Sequence, residues 1–242
     1  METVQTALPA GLSLDRDGDV LTLTDGTKSL SGDFTRIKKR LREANLRQEL
    51  LVKAARMKTV RDGRRTVVLD ATAGLGEDSM LLAAAGHSVE LYEKDPVIAA
   101  LLADALLRAV KDPDLMEAAG RMHLHTEDSV EAMRHCGELC RSRVEAGDDA
   151  APGIDIIYLD PMFPGRHKSG LVGKKFQLLQ QLERPCDDEE ELLQAAIGAH
   201  PAKIIIKRPL KGPYLAGRKP SYSLTGKTVR YDCLVFPENM YT

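Results

Sequence analysis

The chain has 242 residues, of which 43% are hydrophobic, and its formal net charge is −2 at pH 7. This length and composition suffice for one α/β domain with a sizeable core and a small extension. Its longest uninterrupted apolar run (97–103) is too short to span a bilayer, it shows no secretory signal, and its four cysteines lack a disulfide framework, so we expect a cytoplasmic protein without membrane contact.

The first 34 residues contain short apolar pieces separated by Asp-Gly turns, which predict a small β-hairpin or meander. From Thr35 to about Met57 the apolar residues follow one helical stripe among basic residues, and Asp33 is placed to cap this predicted helix. We interpret residues 1–60 as an N-terminal extension packed against a main domain of residues 61–242.

The main domain alternates predicted strands and helices. This alternation indicates an α/β fold of the Rossmann-like kind, with a mostly parallel sheet covered on both faces. After Pro209 the pattern predicts an antiparallel pair that closes a seven-stranded sheet. We expect strands near 66–70, 88–93, 122–126, 154–160, 202–207, 222–224 and 228–236, and helices near 77–86, 96–110, 128–140 and 189–200.

A strand, a glycine turn and a helix start follow one another in residues 66–78, TVVLDATAGLGED. This unit is the usual cradle for a nucleotide-like cofactor. Ser79 replaces the third glycine of a dinucleotide fingerprint, and the carboxylates of Glu77 and Asp78 would repel a pyrophosphate but tolerate the cationic S-adenosylmethionine. The cofactor-binding candidates of this unit are Asp70, Gly74, Gly76, Glu77 and Asp78.

Two further strand ends carry polar residues suited to a cofactor. Glu93 ends the second predicted strand 17 residues beyond Gly76, close to the spacing at which a carboxylate binds ribose hydroxyls. Residues 125–129 end the third strand, where Asp128 or Ser129 could contact an adenine or simply cap the next helix.

Asp160, Pro161 and Phe163 end the fourth predicted strand within the segment DPMFP, which resembles the Asn/Asp-Pro-Pro-Tyr/Phe motif of methyltransferases that act on exocyclic amino groups of bases. The Asp160 carboxylate and the Pro161 carbonyl could accept both hydrogens of an exocyclic base amine and aim its lone pair at a methyl group, while Phe163 stacks on the extruded base. We predict these three residues as the catalytic group.

Basic residues are concentrated in three runs of the sequence. Residues 36–65 hold 12 basic and 3 acidic residues, residues 203–230 hold 8 basic residues and no acidic one, and the segment 166–175 adds four basic residues. Any one run is more simply a solvated face, but three runs beside a cofactor fold favour a nucleic-acid partner. The predicted RNA-binding residues are Arg166, Lys168, Lys174, Lys175, Lys207 and Arg208.

Four segments in order, DATAGLGED, LYEKDP, YLDPMFPGRHKSGLVGKK and IIIKRP, resemble the small-subunit ribosomal RNA guanine-N2 methyltransferase J family over residues 66–236. The resemblance implies a class I methyltransferase fold, S-adenosylmethionine as cofactor, and methyl transfer to N2 of a guanine in 16S ribosomal RNA or the small ribosomal subunit. By matching positions it implies a cofactor-side role for Glu77, Asp78, Glu93, Lys94, Asp128, Ser129 and Asp160.

Three alternatives remain open on the sequence alone. The substrate could be an adenine or cytosine amine in RNA or DNA; the chain could be a non-catalytic RNA-binding assembly factor; or it could be a nicotinamide-dependent oxidoreductase, which Ser79 disfavours. We expect no metal, because His135, Cys136 and Cys140 are more typical of a helix than of a ligand set. No motif indicates an oligomeric state.

Overall fold

A seven-stranded sheet forms the centre of the computed structural model, which describes residues 8–57, 64–145, 153–161, 178 and 188–236. In the order β6-β5-β4-β7-β8-β10-β9, the first five strands are parallel, and β10 runs antiparallel to both of its neighbours. The predicted fold class is confirmed. The strands are β4 (Val67–Asp70), β5 (Ser88–Tyr92), β6 (Met122–His125), β7 (Ile156–Leu159), β8 (Lys203–Pro209), β9 (Tyr222–Thr225) and β10 (Val229–Val235).

The chain order across this sheet reverses between β4 and β7. Strands β4, β5 and β6 follow one another toward one edge, and the chain then returns to place β7 and β8 on the other side of β4. In open α/β sheets such a switch point leaves a crevice at the carboxyl ends of the strands, where ligands bind. The order therefore predicts a site beside the ends of β4 and β7.

Helices cover both faces of the sheet and enclose two apolar clusters. One cluster lies with α3, α4 and α5, and the other with α7 and α8. Asp95 caps α5, because its carboxylate accepts the Val97 and Ile98 N–H groups at 2.9 and 3.0 Å. The helices are α1 (Lys38–Leu41), α2 (Glu43–Leu46), α3 (Leu50–Ala54), α4 (Glu77–Ala84), α5 (Pro96–Ala109), α6 (Met116–Ala119), α7 (Ser129–Glu145) and α8 (Glu189–Gly198), with 3₁₀ helices at Phe34–Ile37 and Leu215–Gly217.

The N-terminal region forms an antiparallel meander, as predicted, but not the single helix expected over residues 35–57. Strands β1 (Ser13–Asp17), β2 (Val20–Thr24) and β3 (Ser29–Leu30) pair in order. The expected helix is instead a 3₁₀ turn, capped by Asp33 as predicted, and the helices α1 to α3. Extended backbone at Arg42 (ψ 134°) and Glu49 (ψ 128°) separates these helices.

These breaks let one segment fill two parts of the core. Ile37 and Leu51 join the large cluster around β4 and α4, whereas Leu46 packs in a separate cluster with Leu81. A straight helix could not direct these side chains to both places. Because the extension shares a core with the sheet, the division at residue 60 stays a proposal about chain organisation rather than a boundary between two cores.

Asp104 of α5 joins the meander to the main sheet. Its buried carboxylate accepts hydrogen bonds from the Leu21 N–H (3.1 Å), the Arg16 guanidinium (3.1 Å) and Arg108 Nε (2.9 Å). The Arg108 guanidinium also donates to the Gly32 carbonyl at 2.5 Å. One carboxylate thus connects β2 and the chain after β3 to α5. No helix in the described ranges has the length and apolar character needed to cross a membrane.

Asp104→Ala should lower the free energy of unfolding by about 2–4 kcal/mol, because it leaves the Leu21 N–H and the Arg108 guanidinium without their buried acceptor. The exposed Asp114, which pairs with Lys38 at 2.9 Å, provides the matched control: Asp114→Ala should cost less than about 1 kcal/mol. Urea unfolding measures both. Equal, small effects would show that Asp104 does not hold the meander.

Candidate active site

The carboxyl ends of β4, β7 and β8 bring three charged side chains to one edge of the sheet. Asp70 ends β4, Asp160 follows β7, and Lys207 lies near the end of β8. Asp70 is paired with Tyr158 in the parallel register, and the next pairs place Leu159 beside Ile206. Since side chains alternate along a strand, this register turns Asp70, Tyr158 and Lys207 toward the same face, which α4 covers.

Lys207 bridges two carboxylates at this edge. Its Nζ lies 2.6 Å from Asp78 Oδ2 and 2.9 Å from Asp160 Oδ2. The Tyr158 hydroxyl donates to Asp78 Oδ2 at 2.7 Å, and the Asp160 N–H donates to Thr72 Oγ1 at 2.7 Å. The bridge therefore fixes the end of β7 against α4, β8 and the turn after β4.

The bridge has a defined charge state. Burial alone would raise the pKa of Asp78, but the adjacent Lys207 ammonium outweighs it and holds that pKa below its usual range. Burial opposes the charge on Lys207, yet Asp78 and Asp160 together raise its pKa well above the ordinary value. Burial and the same carboxylates raise the pKa of Tyr158, so its hydroxyl stays a donor.

The glycine turn between β4 and α4 is organised by the two acidic residues that flank it. Gly74 and Gly76 adopt left-handed backbone conformations, with φ of 53° and 74°, which glycine adopts without a steric penalty. Glu93 accepts the Gly74 N–H at 3.0 Å and the Asp95 N–H at 2.8 Å. Burial raises the pKa of Glu93 above its ordinary value.

Asp70 supports the glycine turn from the interior of the protein. It is buried, it accepts the Ser79 hydroxyl at 2.5 Å and the Thr72 N–H at 3.0 Å, and burial raises its pKa to about 7. Asp70 therefore shapes the turn from inside the protein.

Glu93 keeps capacity for a ligand. Each of its carboxylate oxygens accepts one backbone N–H, and each oxygen can accept a further hydrogen bond.

The other predicted cofactor-side residues lie nearer the surface. Glu77 is exposed in the first turn of α4, and Lys94 faces Asp128 across 3.8 Å, with both side chains largely exposed. Asp128 accepts the Val130 N–H at 2.8 Å and so caps α7, the structural role left open for it, while Ser129 is buried beside it. The structure joins Glu93 to Gly74, and Lys207 joins Asp78 to Asp160, whereas Lys94 and Asp128 lie at the surface.

In the structure, Lys207 and Arg208 of β8, which were predicted to contact phosphates, have partners within the protein. Lys207 faces the carboxylates of the bridge, and Arg208 is completely buried on the other face of the sheet. Arg208 Nε donates to the Pro213 carbonyl at 2.8 Å, and its guanidinium lies 3.2 Å from the Glu189 carboxylate. Strand alternation points both side chains into the protein, so we withdraw the phosphate role for these two residues.

Pro161 is buried directly after Asp160, at the end of the described segment 153–161. The remaining predicted residues, Phe163, Arg166, Lys168, Lys174 and Lys175, lie outside the described residues. Within the described residues, no group of three or more histidine, cysteine or acidic side chains is placed to hold a metal ion.

Sequence reasoning missed Thr72 and Tyr158 and gave Lys207 a different task. The parallel register carried the missing signal, because it sets Tyr158 opposite both Asp70 and Ile205, and hence on the face that Lys207 shares. That register depends on which strands are neighbours, which the local pattern alone does not determine.

The donor set at this edge of the sheet fits S-adenosylmethionine. A buried carboxylate directly after β5, a glycine turn and two acids in the first turn of α4 suit ribose hydroxyls and a cationic group, and they disfavour a phosphate. Together with the strand order, this donor set is that of a class I S-adenosylmethionine-dependent methyltransferase.

Comparison with known proteins agrees with this class. The family model described as "Putative SAM-dependent methyltransferase" matches residues 5–236. A solved SAM-dependent methyltransferase from Neisseria gonorrhoeae superposes with a TM-score of 0.67 at 30% identity, covering 95% of this chain and 86% of that one.

Curated relatives specify the family further. The protein named ribosomal RNA small subunit methyltransferase J in Thioalkalivibrio sulfidiphilus is 42% identical over 94% of this chain and 85% of its own length. The protein of the same name in Pseudomonas aeruginosa is 45% identical over 74% of this chain, and the match spans 63% of the relative's length. The chain belongs to the ribosomal RNA small subunit methyltransferase J family of SAM-dependent methyltransferases, and its methyl donor is S-adenosylmethionine.

Lys207→Met should make methyl transfer more sensitive to low pH than it is in the wild type. Without the ammonium, burial dominates at Asp78 and its pKa rises, so the acid limb of the activity profile should move to higher pH in the variant. Asp70, with its pKa of about 7, is present in both enzymes, so the effect is the difference between the two profiles of initial rate against pH at saturating cofactor.

Lys207→Arg keeps a cation at this position and should move the profile back toward that of the wild type. Lys111→Met removes an exposed lysine far from the site and should match the wild type. A Lys207→Met enzyme with the wild-type pH profile would contradict the role of the bridge.

Proposed function

We propose that this chain transfers a methyl group from S-adenosylmethionine to the exocyclic N2 amine of a guanine in small-subunit (16S) ribosomal RNA. The observation that carries the proposal is the position of Asp160 and Pro161 at the carboxyl end of β7, beside the glycine turn, with Asp160 held by Lys207 and Thr72. The names of the relatives support ribosomal RNA as the substrate. The resemblance of the four segments, YLDPMFPGRHKSGLVGKK above all, to the methyltransferase J family supports guanine N2.

The residues of the proposed site have two tasks, which are binding of the cofactor and activation of the amine. We assign Glu93 to the ribose hydroxyls, the glycine turn to the cofactor backbone, and Lys94, Asp128 and Ser129 to the rim around the adenine. Glu77 and Asp78 set a negative potential at the start of α4, which favours a cation. When bound, S-adenosylmethionine supplies a methyl group already activated by its sulfonium.

Asp160 and Pro161 act on the nucleophile. An aromatic amine is a poor nucleophile because its lone pair is delocalised into the ring. When the Asp160 carboxylate and the Pro161 carbonyl accept the two amine hydrogens, the nitrogen gains sp³ character and its lone pair is aimed away from the ring plane. We assign base stacking to Phe163, two residues further on.

The bridge contributes electrostatics to the same step. Two carboxylates and one ammonium leave a net charge of −1 beside the reacting nitrogen. This charge stabilises the positive charge that develops on the amine as the methyl group arrives. Lys207 also prevents the Asp160 carboxylate from rotating away, which keeps the acceptor in position before substrate binds.

The substrate also suggests where the protein works. Ribosomal RNA and the small ribosomal subunit are the proposed partners, and we propose the cytoplasm, where these are found, as the location.

Asp160→Ala should lower methyl transfer at least about 100-fold, because it removes a preorganised acceptor at the reacting amine. Purified protein is incubated with unmodified 16S ribosomal RNA and labelled cofactor, and the RNA is digested and analysed by nucleoside mass spectrometry. The wild type should produce N2-methylguanosine. Cofactor affinity measured by calorimetry should change much less, and Asp114→Ala serves as the surface control.

Other products would point to the alternatives. Methylated adenosine or cytidine in place of N2-methylguanosine would replace the guanine assignment while keeping the reaction class. Near-normal turnover by Asp160→Ala would refute the role of the carboxylate.

A further inference from the structure

Two turns lie side by side at the carboxyl edge of the sheet, next to the proposed site. Residues 210–214 follow β8, and residues 226–228 connect β9 to β10. The Leu210 N–H donates to the Thr228 carbonyl at 3.2 Å, which joins the two turns. Their outward residues Lys211, Tyr214 and Lys227 are called the two-turn patch below.

A buried arginine holds the first turn in shape. The Arg230 guanidinium donates to the carbonyls of Pro209 (3.1 Å), Leu210 (3.0 Å), Gly212 (2.9 Å) and Pro213 (3.3 Å). Four carbonyls are thus directed inward onto one cation, which pairs with Asp232 at 2.9 Å. The side chains of Lys211 and Tyr214 are exposed on this turn. The turn is therefore preorganised rather than a loose loop.

The patch carries positive charge that the described part of the chain does not neutralise. Lys211 and Lys227 are exposed, residues 203–230 contain no acidic residue, and among described residues neither lysine forms an ion pair with a carboxylate. The basic N-terminal segment, residues 36–65, differs in how much of its positive charge is unpaired.

Several cations of that segment are already paired within the protein. Arg36 pairs with Asp33, and Lys38 pairs with both Asp112 and Asp114. Arg40 pairs with Glu49, and Arg47 pairs with Glu43. The longer basic run in the sequence therefore provides less unpaired charge than its count suggests.

Tyr214 adds an aromatic surface to the patch. Its side chain is 40% exposed, and its ring centroid lies 5.1 Å from the guanidinium carbon of Arg230, so the ring is supported by a cation–π contact. A held aromatic ring on turns that also carry exposed lysines is a combination suited to single-stranded nucleic acid, in which bases stack on the ring and cations contact the phosphates.

We propose that the two-turn patch binds the single-stranded RNA that flanks the target nucleotide, with Lys211 and Lys227 on phosphates and Tyr214 stacked on a base. The inference rests on the proposed function for the identity of the RNA. Pro209, directly before the first turn, lies two residues beyond Lys207, or about 7 Å along the strand, and Lys207 contacts Asp160, so the first turn begins close to the proposed site.

The test compares Lys211→Ala/Lys227→Ala with the charge-matched control Lys111→Ala/Arg141→Ala. Both control residues are exposed, and they lie toward the ends of α5 and α7, which return to the opposite edge of the sheet. Affinity for unmodified 16S RNA is measured without cofactor at several salt concentrations.

The patch variant should bind RNA roughly tenfold more weakly than the wild type. The slope of log K against log salt should be smaller in magnitude by about 1.4, since each of the two lost phosphate contacts on a single strand contributes about 0.7. The control should keep the wild-type slope. A patch variant that behaves like the control would overturn the proposal.

Tyr214 separates stacking from charge. Tyr214→Phe keeps the ring and should bind as the wild type does, whereas Tyr214→Ala should bind roughly tenfold more weakly with an unchanged salt slope. Equal affinities for these two variants would overturn the stacking role. If the lysine variant lost affinity only for assembled subunits and not for naked RNA, the partner would be a protein, which also overturns the proposal.

These outcomes are distinct from failure of the proposed function. A wild-type protein that forms no N2-methylguanosine, but whose RNA affinity and salt slope fall in the patch variant, would refute the reaction and keep the patch. A wild type that methylates guanine with an unaffected patch variant would refute the patch alone.

Discussion

The ammonium of Lys207, held between Asp78 and Asp160, is the interaction on which the geometry of the site depends. Two partly buried carboxylates on neighbouring elements would repel each other, and the lysine converts that repulsion into a connection between α4, β7 and β8. Removing one member of such a cluster leaves the others uncompensated, so their positions are coupled. Lys207, a residue of the sheet, thereby positions the Asp160 carboxylate that is the proposed hydrogen-bond acceptor.

This arrangement gives one strand two separate tasks. Along β8, Lys207 faces Asp78 and Asp160, while Arg208, the next residue, faces the other side and meets Glu189 and the Pro213 carbonyl. Beyond Pro209 the same chain segment becomes the turn around Arg230. Lys207 of the proposed chemistry and Lys211 and Tyr214 of the proposed RNA contact are thus carried by one continuous segment, which helps a site to keep its geometry while it binds a large substrate.

The sequence predicted most of the sheet because its strands are short β-branched runs bounded by turns, as in Ile156–Leu159 and Lys203–Pro209. It failed in the segment 35–57, where helical spacing was continuous but two extended residues bend the chain so that it fills two clusters. It also omitted α6 (Met116–Ala119), which is only one turn long and has too few residues for a periodic signal. Such breaks are set by the packing surface and not by the local pattern.

The candidate site shows the same division. Residue types at strand ends predicted roles for Glu93 and Asp160, and these roles stay proposals, while the structure confirms that both residues directly follow strands of the sheet. Residue type alone misassigned Lys207 and Arg208, since a cation near a basic run suggests a phosphate contact while its direction depends on strand register. The basic count of residues 36–65 likewise overstated the available charge, because several of those cations are paired within the fold.

The most direct test of the account is a crystal structure of the protein with S-adenosylhomocysteine and an RNA fragment that contains the target guanosine. The account predicts that the guanine N2 lies within about 2.6–3.2 Å of both an Asp160 carboxylate oxygen and the Pro161 carbonyl, with Lys207 still on Asp78 and Asp160. A base bound elsewhere, or an Asp160 carboxylate turned away from the amine, would contradict it.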